Sequence, residues 1–254
     1  MSGESGKSGK NGKGGKAGSG APGPGLWERL ERPAPAPRSA ALTPGRIAAA
    51  AVAIADAEGL EAVTMRRLAA DLGVAPMAAY RYVTGKDELI ALMVDFVHGE
   101  LELPDAAGGW RGTMRAVGLR TRALMLAHPW MARADHFSLT PSQFAVSERV
   151  LTALDGLGLD ADTMMAVFRT VTAYVHGAVD SEIGLLRMMR KRGWTTGDET
   201  REGLAPEMTW LMGTGRYPAT RRYLAEAQRK DDAAWRFELG LDCVLDGIAV
   251  RLGI

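Results

Sequence analysis

Between Thr64 and Pro76 the chain reads Thr-Met-Arg-Arg-Leu-Ala-Ala-Asp-Leu-Gly-Val-Ala-Pro, which predicts two short helices joined through a glycine turn. Thr64 supplies the oxygen that caps a first helix in which Met65, Leu68, Ala69 and Leu72 share a face, and Gly73 supplies the positive φ that ends it. Ala69 is small enough for a second helix to cross closely, and Pro76 stands where a first helical residue needs no N–H. The outward positions after that turn are Met77, Ala78, Tyr80, Arg81 and Tyr82, with Lys86 opening the next helix. Those side chains suit DNA: small apolar groups meet thymine methyls, arginine takes guanine bidentately, and tyrosine hydroxyls, lysine and helix N-termini hold phosphates. The spacing alone fits an ordinary helical bundle as well.

The surrounding chain is helical in period. Thr43-Pro44 predicts a helix over 44–58, with Ile47, Ala51, Ile54 and Ala55 at helical spacing until Gly59. The helix opened by Pro76 is expected to run to Val83, and Thr84 with Asp87 resembles a capping pair for a fourth helix through Leu89, Ile90, Met93, Phe96 and Val97. From residue 109 onward helices are expected near 110–127, 140–155, 160–191, 204–212, 218–228 and 231–252, with almost no alternating strand pattern. The chain is therefore read as all-α. The stripe Met164, Phe168, Val171, Val175, Val179, Ile183 and Leu186 is too long for a small bundle to cover, so part of it is expected to meet another chain. Trp235, Leu239, Val244, Leu245 and Ile248 make a second such face.

Charge divides the 254 residues into three objects that the net charge of +1 conceals. Residues 1–42 hold seven Lys/Arg against three Asp/Glu, residues 43–101 hold five against eight, and residues 102–254 hold nineteen of each. Ten glycines and four evenly spaced lysines (Lys7, Lys10, Lys13, Lys16) fall within residues 1–25, and no apolar run there could bury a core. Prolines at 22, 24, 33, 35 and 37 make residues 22–42 a stiff extended linker, with Trp27 and Leu30 its only large apolar anchors. Residues 1–42 are thus expected to be a disordered basic arm, either a solubilising extension or a segment that attracts polyanions. The start of the chain lacks the apolar stretch of about 7–15 residues that a secretory leader needs, and the longest apolar run, Ile47 to Ala55, is far short of a membrane span. A cytoplasmic protein is expected, with no membrane partner. Cys243, the single cysteine, is expected to be a buried small apolar residue.

Residues 43–101 resemble the DNA-binding domain of the TetR family of bacterial transcriptional regulators. The resemblance rests on Ile47, Ile54, Gly59-Leu60, Thr64-Met65-Arg66-Arg67-Leu68-Ala69, Gly73-Val74, Tyr80-Arg81-Tyr82-Val83, Lys86 and Leu89 at their spacings. Trp110 to Arg122 and Tyr174-Val175-His176-Gly177-Ala178-Val179 resemble, more weakly, the regulatory domain of the branch nearest the tetracycline repressor. The resemblance implies a three-helix helix-turn-helix domain over 43–101 and a larger helical ligand-binding and dimerisation domain over 102–254. It further implies a homodimer that places the helix after Gly73 in successive major grooves of a palindromic operator and leaves it when a small-molecule inducer binds. Carried over by position, Arg66 reads a base, Met77 and Ala78 face base edges or methyls, and Tyr80 and Lys86 contact phosphates. Thr64 and Pro76 complete the contact surface, one of Arg81 and Tyr82 reaches DNA while the other packs back, and Arg67 is either salt-bridged or on a phosphate. Ala75 stands where serine or threonine is common, a lost cap that Pro76 partly offsets.

For the effector, Trp130, His136, Phe137, Phe144, Phe168, Tyr174 and His176 are the residues expected to line a cavity, each of them equally suited to a core. In tetracycline-binding relatives a histidine and an acidic residue position the drug's magnesium. Here His136 falls only near the first, and Asp180 and Glu182 flank the second, so tetracycline is not the expected ligand. His98, His128, His136 and His176 have no metal-ligand spacing, and no metal or cofactor is expected. No HExxH, Walker loop, G-x-S-x-G or GxGxxG occurs, which argues against an enzyme. The competing reading is a helical ligand-binding or interaction module without specific DNA binding.

Overall fold

The computed structural model describes residues 25–31, 42–103, 108–134 and 139–254. His136, Phe137 and most of the expected basic arm lie outside the described residues. Every element among the described residues is helical. Eleven α-helices follow one another: α1 Leu26–Glu31, α2 Pro44–Glu58, α3 Met65–Asp71, α4 Pro76–Ala79, α5 Lys86–His98, α6 Gly109–Ala127, α7 Pro141–Leu154, α8 Ala161–Arg192, α9 Gly197–Gly213, α10 Pro218–Glu226 and α11 Ala233–Leu252. Leu60–Ala62 is a short 3-10 segment that links α2 to α3, and Pro129–Arg133 is another that follows α6.

The N-terminal helices wrap a small core of Ile47, Ala51, Ile54, Leu68, Val83, Leu89, Met93 and Val97, all nearly inaccessible to solvent. Thr43 and Thr64 cap α2 and α3 by accepting from the N–H of Arg46 and Arg67. Gly73 takes φ +65. The N–H groups of Gly73 and Val74 then bond back to the carbonyls of Ala70 and Ala69, a Schellman close that turns the chain into α4. α4 stops at Ala79 instead of reaching Val83. Tyr82 is the reason: its hydroxyl donates to the carbonyl of Leu42 at 2.6 Å, so residues 80–82 turn to deliver Val83 into the core. α5 is capped differently from the expected Thr84–Asp87 pair. Gly85 is its N-cap, and Glu88 reaches back to accept from the N–H of Thr84 at 2.7 Å.

In the C-terminal part α6, α8 and α11 pack side by side. Val167, Val171, Val175, Val179 and Ile183 of α8 meet Met114 of α6 and Phe237, Leu241 and Leu245 of α11 in one core. A charge ladder runs along the α6–α11 seam, in which Arg111 pairs with Asp242 and Asp246, and Arg115 with Glu238 and Asp242. Arg122 pairs with Glu182 of α8 at 2.8 Å in a more buried position and lies over the ring of Phe237.

Three sequence expectations change here. Leu26–Glu31 form α1 instead of extended linker, because Leu26 is buried in the core and Trp27 and Leu30 pack against it. The central part of the α8 stripe is covered within the chain, by α6 and α11, while Leu186 at its end stays exposed, as do Leu185 on α8 and Trp235, Leu239 and Val250 on α11. α9 starts at Gly197, well before residue 204, because Thr196 and Glu199 form a reciprocal capping box. Cys243 is exposed, since it points away from the seam that Leu241 and Leu245 fill.

Candidate DNA-reading surface and ligand cavity

The turn at Gly73 sets which side chains the N-terminal helices offer to solvent. Arg66 on α3, Pro76 and Met77 at the start of α4, and Tyr80, Arg81 and Lys86 beyond it are all exposed, and Ala78 is half-buried among them. Met77 has 72% of its surface exposed, which an apolar side chain adopts at a cost unless something else covers it. Arg66 and Arg81 have no ion-pair partner among the described residues. Lys86 is held only loosely, 3.7 Å from Glu61. Thr64 is exposed, but its hydroxyl is spent on the α3 cap.

Two of the expected DNA contacts are engaged elsewhere. Arg67 donates to Asp71 and to both oxygens of Glu58, and these acids, Asp71 foremost, hold its guanidinium charged. Tyr82 is half-buried on Leu42, so of the Arg81–Tyr82 pair it is Arg81 that faces outward. The surface therefore carries its positive charge on Arg66, Arg81 and Lys86, while Arg67 is neutralised beside them.

A cavity of about 660 Å³ opens between the end of α5 and helices α6, α7 and α8. That size suits a drug-sized ligand. Its wall is mainly apolar, with Met114, Val117, Phe144, Val146, Met165 and Phe168 around it, and its polar groups include His98, Thr121, Gln143 and His176. Phe144, Phe168 and His176 thus lie where the sequence placed them. Trp130 and Tyr174 do not line it. Trp130 is buried under α2, donating its indole N–H to Asp56. Tyr174 faces α11, where its hydroxyl donates to the carbonyl of Phe237 at 2.7 Å and burial pushes its pKa up. Gly240 makes that bond possible, because any Cβ there would overlap the tyrosine hydroxyl.

His98, Thr121 and Gln143 were missed as cavity residues. A signal for His98 existed: it continues the helical face of Val94, a polar residue at the end of a buried stripe, with Nδ1 on the Val94 carbonyl at 2.9 Å. Thr121 and Gln143 carried none, since each faces the cavity only through the way α6 and α7 cross.

Comparison with known proteins finds a match for both parts of the chain. Residues 47–93 match the family described as bacterial regulatory proteins, tetR family, and residues 103–252 match the tetracyclin repressor-like C-terminal domain. The HTH-type transcriptional repressor DrrR1 of Streptomyces coeruleorubidus is 36% identical over 229 residues, covering 89% of this chain and 83% of that protein. An HTH-type transcriptional regulator of Saccharopolyspora erythraea is 32% identical over 242 residues, covering 92% and 95%. The crystal structure of the Streptomyces coelicolor TetR family protein ActR in complex with actinorhodin superposes with a TM-score of 0.68 at 29% identity, covering 85% of this chain and all of that one. With a helix-turn-helix match at one end and a regulatory-domain match over more than half its length, the chain belongs to the TetR family of DNA-binding transcriptional regulators and is not an enzyme.

Proposed function

We propose that this protein is a cytoplasmic repressor that binds a palindromic operator as a homodimer and is released from it by a small molecule in the α5–α8 cavity. The observation that carries the reading is α5 itself. Its first residue, Lys86, is exposed at the end that follows α4, as Arg66, Met77 and Arg81 are on the preceding segments, and its last, His98, is part of the cavity wall. A helix of this length spans about 18 Å as a rigid rod, so a ligand against His98 acts on the DNA-facing end without an intermediary. Arg66 reads a base edge, Met77 and Ala78 meet methyl groups, and Tyr80, Arg81 and Lys86 hold phosphates.

Dimerisation is supported by the apolar residues that one chain leaves uncovered on α8 and α11, and by α9 and α10, which contain no buried residue. A second copy seated there sets two reading heads a fixed distance apart, which is what a palindrome requires. The effector has a mainly apolar body and few hydrogen-bonding groups, as the wall dictates; ActR, a relative, is described in complex with actinorhodin. Release follows if the ligand prefers the head separation that cannot span two half-sites, and is limited by that preference.

The test is a gel shift on intergenic DNA flanking the gene, with excess non-specific duplex and with and without actinorhodin. A retained shift in the presence of competitor, lost on adding ligand, is the expected result. Competition by any duplex would overturn the operator reading and favour a binding module. A monomer by analytical ultracentrifugation at micromolar concentration would overturn the dimer.

A further inference from the structure

A helix of six residues is too short to persist in water by itself, so α1 owes its place to what it touches. Leu26 is buried in the core, and two polar anchors follow it. Trp27 donates its indole N–H to the carbonyl of Leu139 at 2.8 Å. Arg29 pairs with Glu88 at 2.6 Å. Residues two apart on a helix point to nearly opposite sides, and here the two sides are the two functional parts of the molecule.

Leu139 lines the cavity mouth and is itself 73% exposed, just before Thr140 caps α7. Glu88 stands at the other end. The same Oε2 that takes the Arg29 guanidinium also accepts the N–H of Thr84, and so fixes the turn from which Lys86 enters α5. From Leu139 to Thr84 there is an unbroken path of a carbonyl, an indole, about half a turn of helix, a guanidinium and a carboxylate.

We propose that α1 is a strap that couples the cavity rim to the DNA-reading head, with Trp27 and Arg29 as its positioning residues. Its regulatory meaning rests on the cavity being the effector site. Its mechanical content does not. A group that displaces Leu139 pulls on Trp27, shifts Arg29 from Glu88 and loosens the Thr84 turn; DNA that seats Lys86 acts back along the same path to the rim, as linkage between two sites requires. The strap adds a second route beside α5, running outside the domain instead of through it.

Amide hydrogen exchange on the full-length protein, without ligand or DNA, tests this independently of whether the repressor reading holds. Trp27→Phe keeps an aromatic ring, though a smaller one, and removes the donor; Arg29→Gln removes the charge that holds Glu88. The expected result is crossed: W27F speeds exchange by about threefold or more over residues 82–90, which Trp27 does not hydrogen-bond, and R29Q does the same over residues 139–147. The double variant W27F/R29Q then exchanges no faster than the stronger single one, since both break one path. Changes confined to the contact that each variant removes, or additive in the double variant, would overturn the proposal and leave α1 a local clamp. Should W27F lose its fold by thermal melting, R29Q read at the rim decides the question alone.

Discussion

Trp130 donates its indole N–H to Asp56 Oδ1 at 2.8 Å, and His128 places Nδ1 within 3.0 Å of both oxygens of the same carboxylate. One acidic side chain on α2 thereby holds the connection that leaves α6, with Trp130 only 3% exposed. Asp56→Ala strands a buried donor. A loss of about 1–3 kcal/mol is expected in urea denaturation, while Asp56→Asn, which keeps an acceptor, should lose much less. Equal losses in the two variants would show that the indole hydrogen bond contributes little.

The reading surface separates by residue. Arg66→Ala should weaken operator binding by about 1–3 kcal/mol and relax preference at one base position. Lys86→Ala should weaken binding to all sequences alike and lower the salt slope by about one counterion. Arg67→Ala should change DNA affinity least of the three, because Glu58 and Asp71 already occupy its guanidinium. Binding curves against operator and single-base variants at several salt concentrations check all three.

Gly73→Ala places a Cβ on a residue at φ +65, where nothing crowds it but the backbone itself is strained. A destabilisation of about 1–2 kcal/mol is expected. Gly73→Asn should recover part of it, since asparagine tolerates this region. Chemical denaturation of the two variants side by side measures the difference.

Glu88 links acid stability to the reading head. Burial alone would raise its pKa, but the hydrogen bonds from Arg29 and Thr84 outweigh burial and hold it below the ordinary value of 4.5. A carboxylate depressed in the folded state contributes stability above its unfolded pKa and loses it as pH falls through the folded one. The contribution should therefore be complete at neutral pH, begin to fall below about pH 4.5 and be lost as pH drops through the lower folded pKa. In Glu88→Gln the acid limb of the stability curve should be shallower than in the parent; identical limbs would assign the acid sensitivity to other groups.

The N-terminal lysines make a separate prediction. Removing residues 1–24 takes away Lys7, Lys10, Lys13 and Lys16 and leaves α1 in place. If this arm follows phosphates, the dependence of operator affinity on salt should flatten by several counterions. An unchanged slope would make the arm a solubilising extension.

Most of the helix-turn-helix was legible in the sequence because its determinants are local. Thr43, Thr64 and Gly73 act on neighbours within four residues, and Pro44 and Pro76 act through their own rings, so caps and turn could be placed before any tertiary contact was known. The early end of α4 could not, because it depends on Tyr82 reaching Leu42, forty residues away in the chain. For the same reason Arg81 and Tyr82 were indistinguishable in sequence and are distinct in the structure.

The cavity shows the sharper division. Phe144, Phe168 and His176 line it and Trp130 and Tyr174 do not, although all five are large residues at helical spacing. Periodicity states which residues share a face of a helix; it does not state what that face meets. The amino-acid order by itself determined an all-α chain, its helix-turn-helix, its family and the segregation of its charge. How α6, α7 and α8 cross, which leaves a cavity at the end of α5, and how Leu26 anchors α1 between Leu139 and Glu88 were decided by tertiary packing, since each contact joins residues that no local rule relates.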